Sequence, residues 1–240
     1  MAKNDLFSNL RQKLNEQDID FFHILEDLVP IKEQMYYFKY FDQLRKENSQ
    51  FNPEEEIAIL FSSEESVERK RRSLTLLASI PDIGAYRSIE TYHSNPIDKE
   101  LENWSSMSLV SSRIILSSDL SGHQQIYISS GLGGQDKKLR FFSLFSTLNR
   151  EPFTNLQKEI IEREFKFQIQ RAEVIIEKFE IENNYFTILM LFPFDINVKS
   201  SLNDAIAECN QYGNFLDKKY LFTNVKILDK MEIDKLLNKQ

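Results

Sequence analysis

The run YFTILMLFPF, residues 185–194, constrains the fold most. It is uncharged and apolar on both parities. A membrane span needs about 20 apolar residues, so a run this short reads as a buried strand. One parity presents Phe186, Ile188, Met190 and Phe192, the other Tyr185, Thr187, Leu189 and Leu191. A strand with one face in water would alternate apolar with polar residues. KLRFFSLFS, residues 138–146, repeats the pattern, with Leu139, Phe141 and Phe145 on one side and Phe142 and Leu144 on the other. A sheet built from these two runs needs cover on both faces. The 19 phenylalanines of the 240-residue chain suit such a core.

The surrounding elements give that sheet an order. Thr154 with Gln157 three residues later is a capping box, opening a helix that carries Leu156, Ile160, Ile161, Phe165 and Ile169. VIIEKFEIE (174–182) and YFTILMLF (185–192) form a hairpin across Asn183-Asn184. A second helix starts near Ser200 or Ser201, buries Leu202, Ala205, Ile206 and Cys209, and ends at Gly213. YLFTNVKIL (220–228) is the last strand, and a short helix over 231–238 follows. From residue 138 the order is strand, helix, strand, strand, helix, strand. Residues 138–228 thus resemble the ferredoxin-like split βαβ arrangement, which implies an antiparallel sheet with both helices on one face. QQIYIS (124–129) adds a leading strand, expected to pair with 138–146 around a glycine turn.

The first half has a different period. Asn52-Pro53-Glu54-Glu55 sets an N-cap, a proline at N1 and acids in the first turn. Ser62 and Ser63 precede Glu64 and Glu65, and Asn95-Pro96 repeats the cap-then-proline signal with Asp98 at N3. Apolar residues then fall three and four apart: Val67, Leu74, Leu77, Ala78, then Leu101, Trp104, Met107. Asp82 to His93 is a short helix between them. An offset of 30 residues matches Leu74 with Trp104 and Leu77 with Met107. Residues 53–116 therefore resemble a degenerate HEAT-like helical repeat, with an ordinary bundle as the other reading.

The expected fold is α+β. A helical region, residues 1–121, packs on a ferredoxin-like domain, residues 122–240, across the short hinge SSDLSG (117–122). The helical half is the first candidate to cover the second sheet face. A second copy of the chain, as a homodimer, is the next.

The net charge of −7 lies wholly in the first half. Residues 1–122 carry 14 Lys+Arg against 21 Asp+Glu, and residues 123–240 carry 16 against 16. Such a balance does not favour general affinity for nucleic acid or anionic membranes. The single cysteine, Cys209, excludes an internal disulfide framework, and His23, His93 and His123 are far apart in sequence. The start, MAKNDLFSNLRQKL, has no apolar core of a secretory signal. A cytoplasmic protein with no metal and no cofactor is expected.

Two clusters offer surface chemistry. In ISSGLGGQDKKLR, Gly131, Gly133 and Gly134 precede Lys137, Lys138 and Arg140. Backbone N–H groups of such a loop could meet an anion, but a phosphate loop opens into a helix and this one opens into a strand. The glycines read first as a turn that needs positive φ. The run Arg69-Lys70-Arg71-Arg72 offers Arg69, Arg71 and Arg72 to an acidic partner. Its plainer reading is a solvated helix face with Glu65–Arg69, Glu68–Arg71 and Glu68–Arg72 pairs. Tyr37, Tyr40 and Phe41 form a core stripe, with Tyr36 at its rim. No catalytic constellation is evident, and the carboxylates of Glu54–Glu56 and of Glu159, Glu162 and Glu164 suit helix ends and faces.

The function expected on these grounds is a non-catalytic protein–protein interaction or regulatory role, through the helical face and the sheet surface. The alternative is RNA or nucleotide-ligand binding through the basic glycine hairpin 131–140. An enzyme with a site between the two halves is the third class.

Overall fold

The computed structural model describes residues 22–47, 50–123, 125–171, 173–193 and 198–238. The stretch MAKNDLFSNLRQKL, with Gln124 and Phe194 of the expected strands, lies outside the described residues. The chain divides into two compact units at Gly133/Gly134.

The first unit holds strand β1 (Phe22–Ile24), helices α1 (Ile31–Glu47), α2 (Pro53–Phe61), α3 (Val67–Ala78), α4 (Ile83–Ser94) and α5 (Glu102–Ser121), and strand β2 (Ile126–Ile128). Caps set the helix starts: Asn52 accepts from Glu54 N–H, Ser66 from Arg69 N–H and Asp82 from Ala85 N–H. SSDLS, read as the hinge, is instead the end of α5, which Gly122 closes in a left-handed conformation at φ 69°. Strand β2 does not pair across the glycine turn. It pairs in parallel with β1, Phe22 opposite Ile126 and Ile24 opposite Ile128.

One core runs through this unit, from Leu25 and Val29 through Tyr37, Leu60, Leu74, Leu77, Ile89 and Tyr92 to Trp104 and Met107. Helix α1 packs on both α3 and α5. In a linear stack each repeat meets only its neighbours. The helices close on one another instead, and the HEAT-like reading of residues 53–116 has no support. Trp104 sits edge-on to Tyr36, Tyr37 and Tyr40 at 5.1–5.4 Å and donates to Thr75 Oγ1 at 3.0 Å.

Of the cations of Arg69–Arg72, Lys70 is buried and the three arginines are half-buried. Arg69 grips Glu56 with both Nη atoms, at 2.7 and 2.8 Å, and Ser73 Oγ donates to the same carboxylate at 2.7 Å. Burial alone would raise the Glu56 carboxyl, but these bonds outweigh it and hold the group below its usual range. Lys70, 1% exposed, reaches Asp98 at 2.7 Å, and Tyr92 donates to the same oxygen at 3.1 Å. Asp98 thus serves a buried lysine rather than a helix N3 position.

The second unit holds β3 (Gly134–Gln135), β4 (Lys138–Ser146), α6 (Asn155–Gln170), β5 (Ile175–Ile181), β6 (Tyr185–Pro193), α7 (Val198–Asn210), β7 (Leu221–Thr223) and α8 (Lys230–Leu237). The strands run β7-β4-β6-β5 and every pairing is antiparallel, the ferredoxin-like order, with β3 on the same edge of β4 as β7. Thr154 and Gln157 form the capping box of α6, and Asp229 and Glu232 form another on α8. Lys138 to Ser146 pairs residue for residue with Pro193 to Tyr185. That register puts Phe141, Phe145, Phe186 and Ile188 on one face, where Phe145 stacks on Phe186 at 4.8 Å and α6 sends Phe165 edge-on to both. On the other face Phe142, Leu144 and Leu191 are also buried. Helix α8 lies over one end of it, where Leu236 and Leu237 line a small cavity with Leu144 and Leu221.

The Lys70–Asp98 pair is open to test. Asp98→Ala leaves a charged lysine buried and alone and should cost about 3 kcal/mol, at the low end for a broken buried pair because Asp98 is partly open to water. Lys70→Met with Asp98→Leu should lie much closer to wild type. Urea unfolding followed by the fluorescence of Trp104, the one tryptophan, reads this unit directly. An Asp98→Ala variant as stable as wild type would contradict the role given to the pair.

Candidate nucleic-acid interface

The glycine-rich segment is two structures in sequence, and only one can touch a ligand. Residues 130–133 form a buried turn: Gly133 N–H donates to Ser130 O at 3.3 Å, and Ser130 Oγ donates to Gly133 O at 3.1 Å. Gln34 Nε2 donates to Ser130 O at 2.9 Å and to Val29 O at 2.7 Å. Gly133 has φ 62°, and a Cβ there would stand 2.4 Å from Asp27 O and 2.5 Å from Glu26 O. Glycine is required because two backbone segments meet, and the groups facing it are carbonyls, which repel an anion. Gly131 and Gly134 are buried beside it without positive φ. An anion cradle made of the three glycines is not what this geometry forms.

The exposed element is the next turn. Gln135 pairs with Lys138, so Asp136 and Lys137 alone close the β3–β4 hairpin. Both have positive φ, 48° and 60°, the pattern of a type I′ turn. Aspartate tolerates the first position. The second is where glycine is ordinarily found, because a Cβ there costs roughly 1 kcal/mol or more. This chain places a lysine at it. Gln135, Asp136 and Lys137 are exposed and Lys138 is half-buried. Sequence reading found the lysines but assigned the turn to the glycines, four residues too early.

Arg140 is not part of the exposed tip. It is 8% exposed and holds Glu177 with Nε at 2.6 Å and Nη2 at 2.8 Å. A bulge in β5 between Ile176 and Lys178 presents Glu177 to it. Arg69 serves Glu56, Arg71 pairs with Glu68 and lies 5.0 Å over the Trp104 ring, and Arg72 reaches Glu47 at 3.3 Å.

One constellation in the helical unit has the composition of a hydrolytic triad without its chemistry. His93 Nδ1 lies 3.1 Å from Ser105 Oγ and Nε2 lies 3.4 Å from Asp27 Oδ2. Ser105 is fully buried on α5 and gives its hydroxyl hydrogen to Glu102 O at 2.7 Å. It therefore accepts from the imidazole rather than being deprotonated by it, and no substrate carbonyl reaches it. Cys209 is also inert, its thiol pushed up to about 12 by burial. Among the described residues no three His, Cys, Asp or Glu side chains come together to hold a metal, and no helix is long and apolar enough to cross a membrane.

No protein-family model and no curated protein matches the chain. Among the solved structures similar to it are these two. One is a candidate transposase from Deinococcus radiodurans R1, with 11% identity and a TM-score of 0.38, covering 43% of this chain and 91% of that one. The other is a REP-associated tyrosine transposase solved bound to a REP hairpin, with 9% identity and a TM-score of 0.34, covering 42% and 64%. At these scores the likeness assigns no activity to this chain. Arg69 and Lys70 are spent inside the helical unit, which corrects the expectation of a non-catalytic protein-interaction protein acting through the helical face and sheet surface; the two similar structures are transposases.

The turn makes a prediction of its own. Lys137→Gly removes the Cβ from a left-handed position and should raise stability by about 1 kcal/mol, read as an upward shift of the thermal transition by circular dichroism. A lowered transition would contradict the strained-lysine geometry.

Proposed function

We propose that the C-terminal unit binds nucleic acid through the β3–β4 tip, with Lys137 and Lys138 contacting phosphates. The observation that carries this reading is the lysine in a left-handed turn position where glycine would stabilise the fold. Strained side chains of this kind concentrate at binding sites, where the fold holds them in place. The tip ends a sheet whose central strand continues from it without interruption, so two adjacent cations project from a rigid support. Charge agrees, since residues 123–240 lack the acidic excess of the first half. Arg140 stays out of the interface because it is buried and bonded to Glu177.

Lys137→Ala with Lys138→Ala should weaken nucleic-acid binding across sequences and flatten the salt dependence of log K by up to about two units, one for each phosphate that a lysine no longer neutralises. Lys137→Gly should weaken it too while stabilising the fold, which separates an effect on the interface from an effect on folding. Fluorescence anisotropy against salt concentration measures both. An unchanged affinity and salt slope in the double variant would overturn the proposal.

A further inference from the structure

The ligand class can be taken further, on the basis of that same tip. We infer that it enters the major groove of B-form double-stranded DNA, with Gln135 at a base edge and the two lysines on the flanking phosphates. Three features point there. The first is what the unit withholds. Binding of unpaired bases relies on open aromatic platforms, and here most of the sheet rings are packed on each other, while the half-exposed Tyr185 lies at the end of β6 away from the tip. Phe141 stacks on Phe222 at 4.5 Å, Phe145 on Phe186 at 4.8 Å, and Phe142 on the opposite face is 3% exposed. The exposed rings of this unit among the described residues, Phe167 and Tyr212, lie on α6 and beyond α7, each with an arginine over it.

The second feature is shape. A two-stranded ribbon closed by two residues is narrow enough for the B-DNA major groove, about 12 Å wide, whereas the A-form RNA major groove is too deep and narrow to be read by side chains. The third is the order of charges. An aspartate at the apex repels phosphate but can accept from a cytosine amino group, so the apex suits the groove floor and the lysines behind it suit the backbone. Gln135 stands directly opposite Lys138 in the register, so both project from the same face of the ribbon. A glutamine so placed can bond adenine at N6 and N7 together.

The test uses the full chain with three labelled probes: a short mixed-sequence DNA duplex, one of its strands alone, and the RNA duplex of the same sequence. The DNA duplex should bind at least about tenfold more tightly than the other two. A duplex containing A·T pairs should also bind about fivefold more tightly than one of G·C pairs only, a preference that Gln135→Ala abolishes without altering the salt slope. Equal or tighter binding of the single strand or the RNA duplex would overturn the groove inference while leaving nucleic-acid binding standing. Unchanged base preference in Gln135→Ala would overturn the role of Gln135. Binding of none of the probes would overturn both the inference and the function it rests on.

Discussion

The antiparallel pairing of Lys138–Ser146 with Tyr185–Pro193 is the constraint on which the C-terminal unit depends. Both strands are apolar on both parities, so a slip of one residue would still bury carbon but would break the ring contacts of Phe145 with Phe186 and of Phe141 with Phe192. The register therefore rests on aromatic geometry rather than on hydrophobicity alone. It also decides where the hairpin emerges. Because β4 begins at Lys138, opposite Pro193 at the end of β6, the turn that precedes it stands beyond the paired part of the sheet.

In the helical unit the organising interactions are polar. Glu56 receives Arg69 and Ser73, and Asp98 receives Lys70 and Tyr92. Each carboxylate ties together elements distant in sequence. Taking such charges out of water is expensive, so their bonds must be complete, and the two short pairs meet that demand. The cations that look most available in the sequence thus hold the fold, and the surface they were expected to offer a partner is smaller than the charge count suggests.

What could be read from the sequence was local. The caps at Asn52 and Thr154, the short helix from Asp82, the Asn183-Asn184 turn and the strand-helix order from residue 138 all depend on neighbours a few residues apart, and all formed. The partner of β2 could not be read, because its three residues pair in parallel with β1 about a hundred positions earlier. The burial of Lys70 was hidden for the same reason: its partner Asp98 looks like a helix-start signal until the fold brings it close. The glycines misdirected the reading of the tip. Gly133 is needed where the backbone meets Glu26 and Asp27, while the turn that reaches solvent uses an aspartate and a lysine, which carry no strong turn signature.

The central claim is that the hairpin tip is where a nucleic acid docks. Amide hydrogen exchange of the full chain, with and without a saturating DNA duplex, tests it most directly. The account predicts added protection confined to peptides spanning residues 134–139, with α3 and its Arg69–Arg72 run unchanged. Protection on α3, with the tip exchanging as in the free protein, would contradict it.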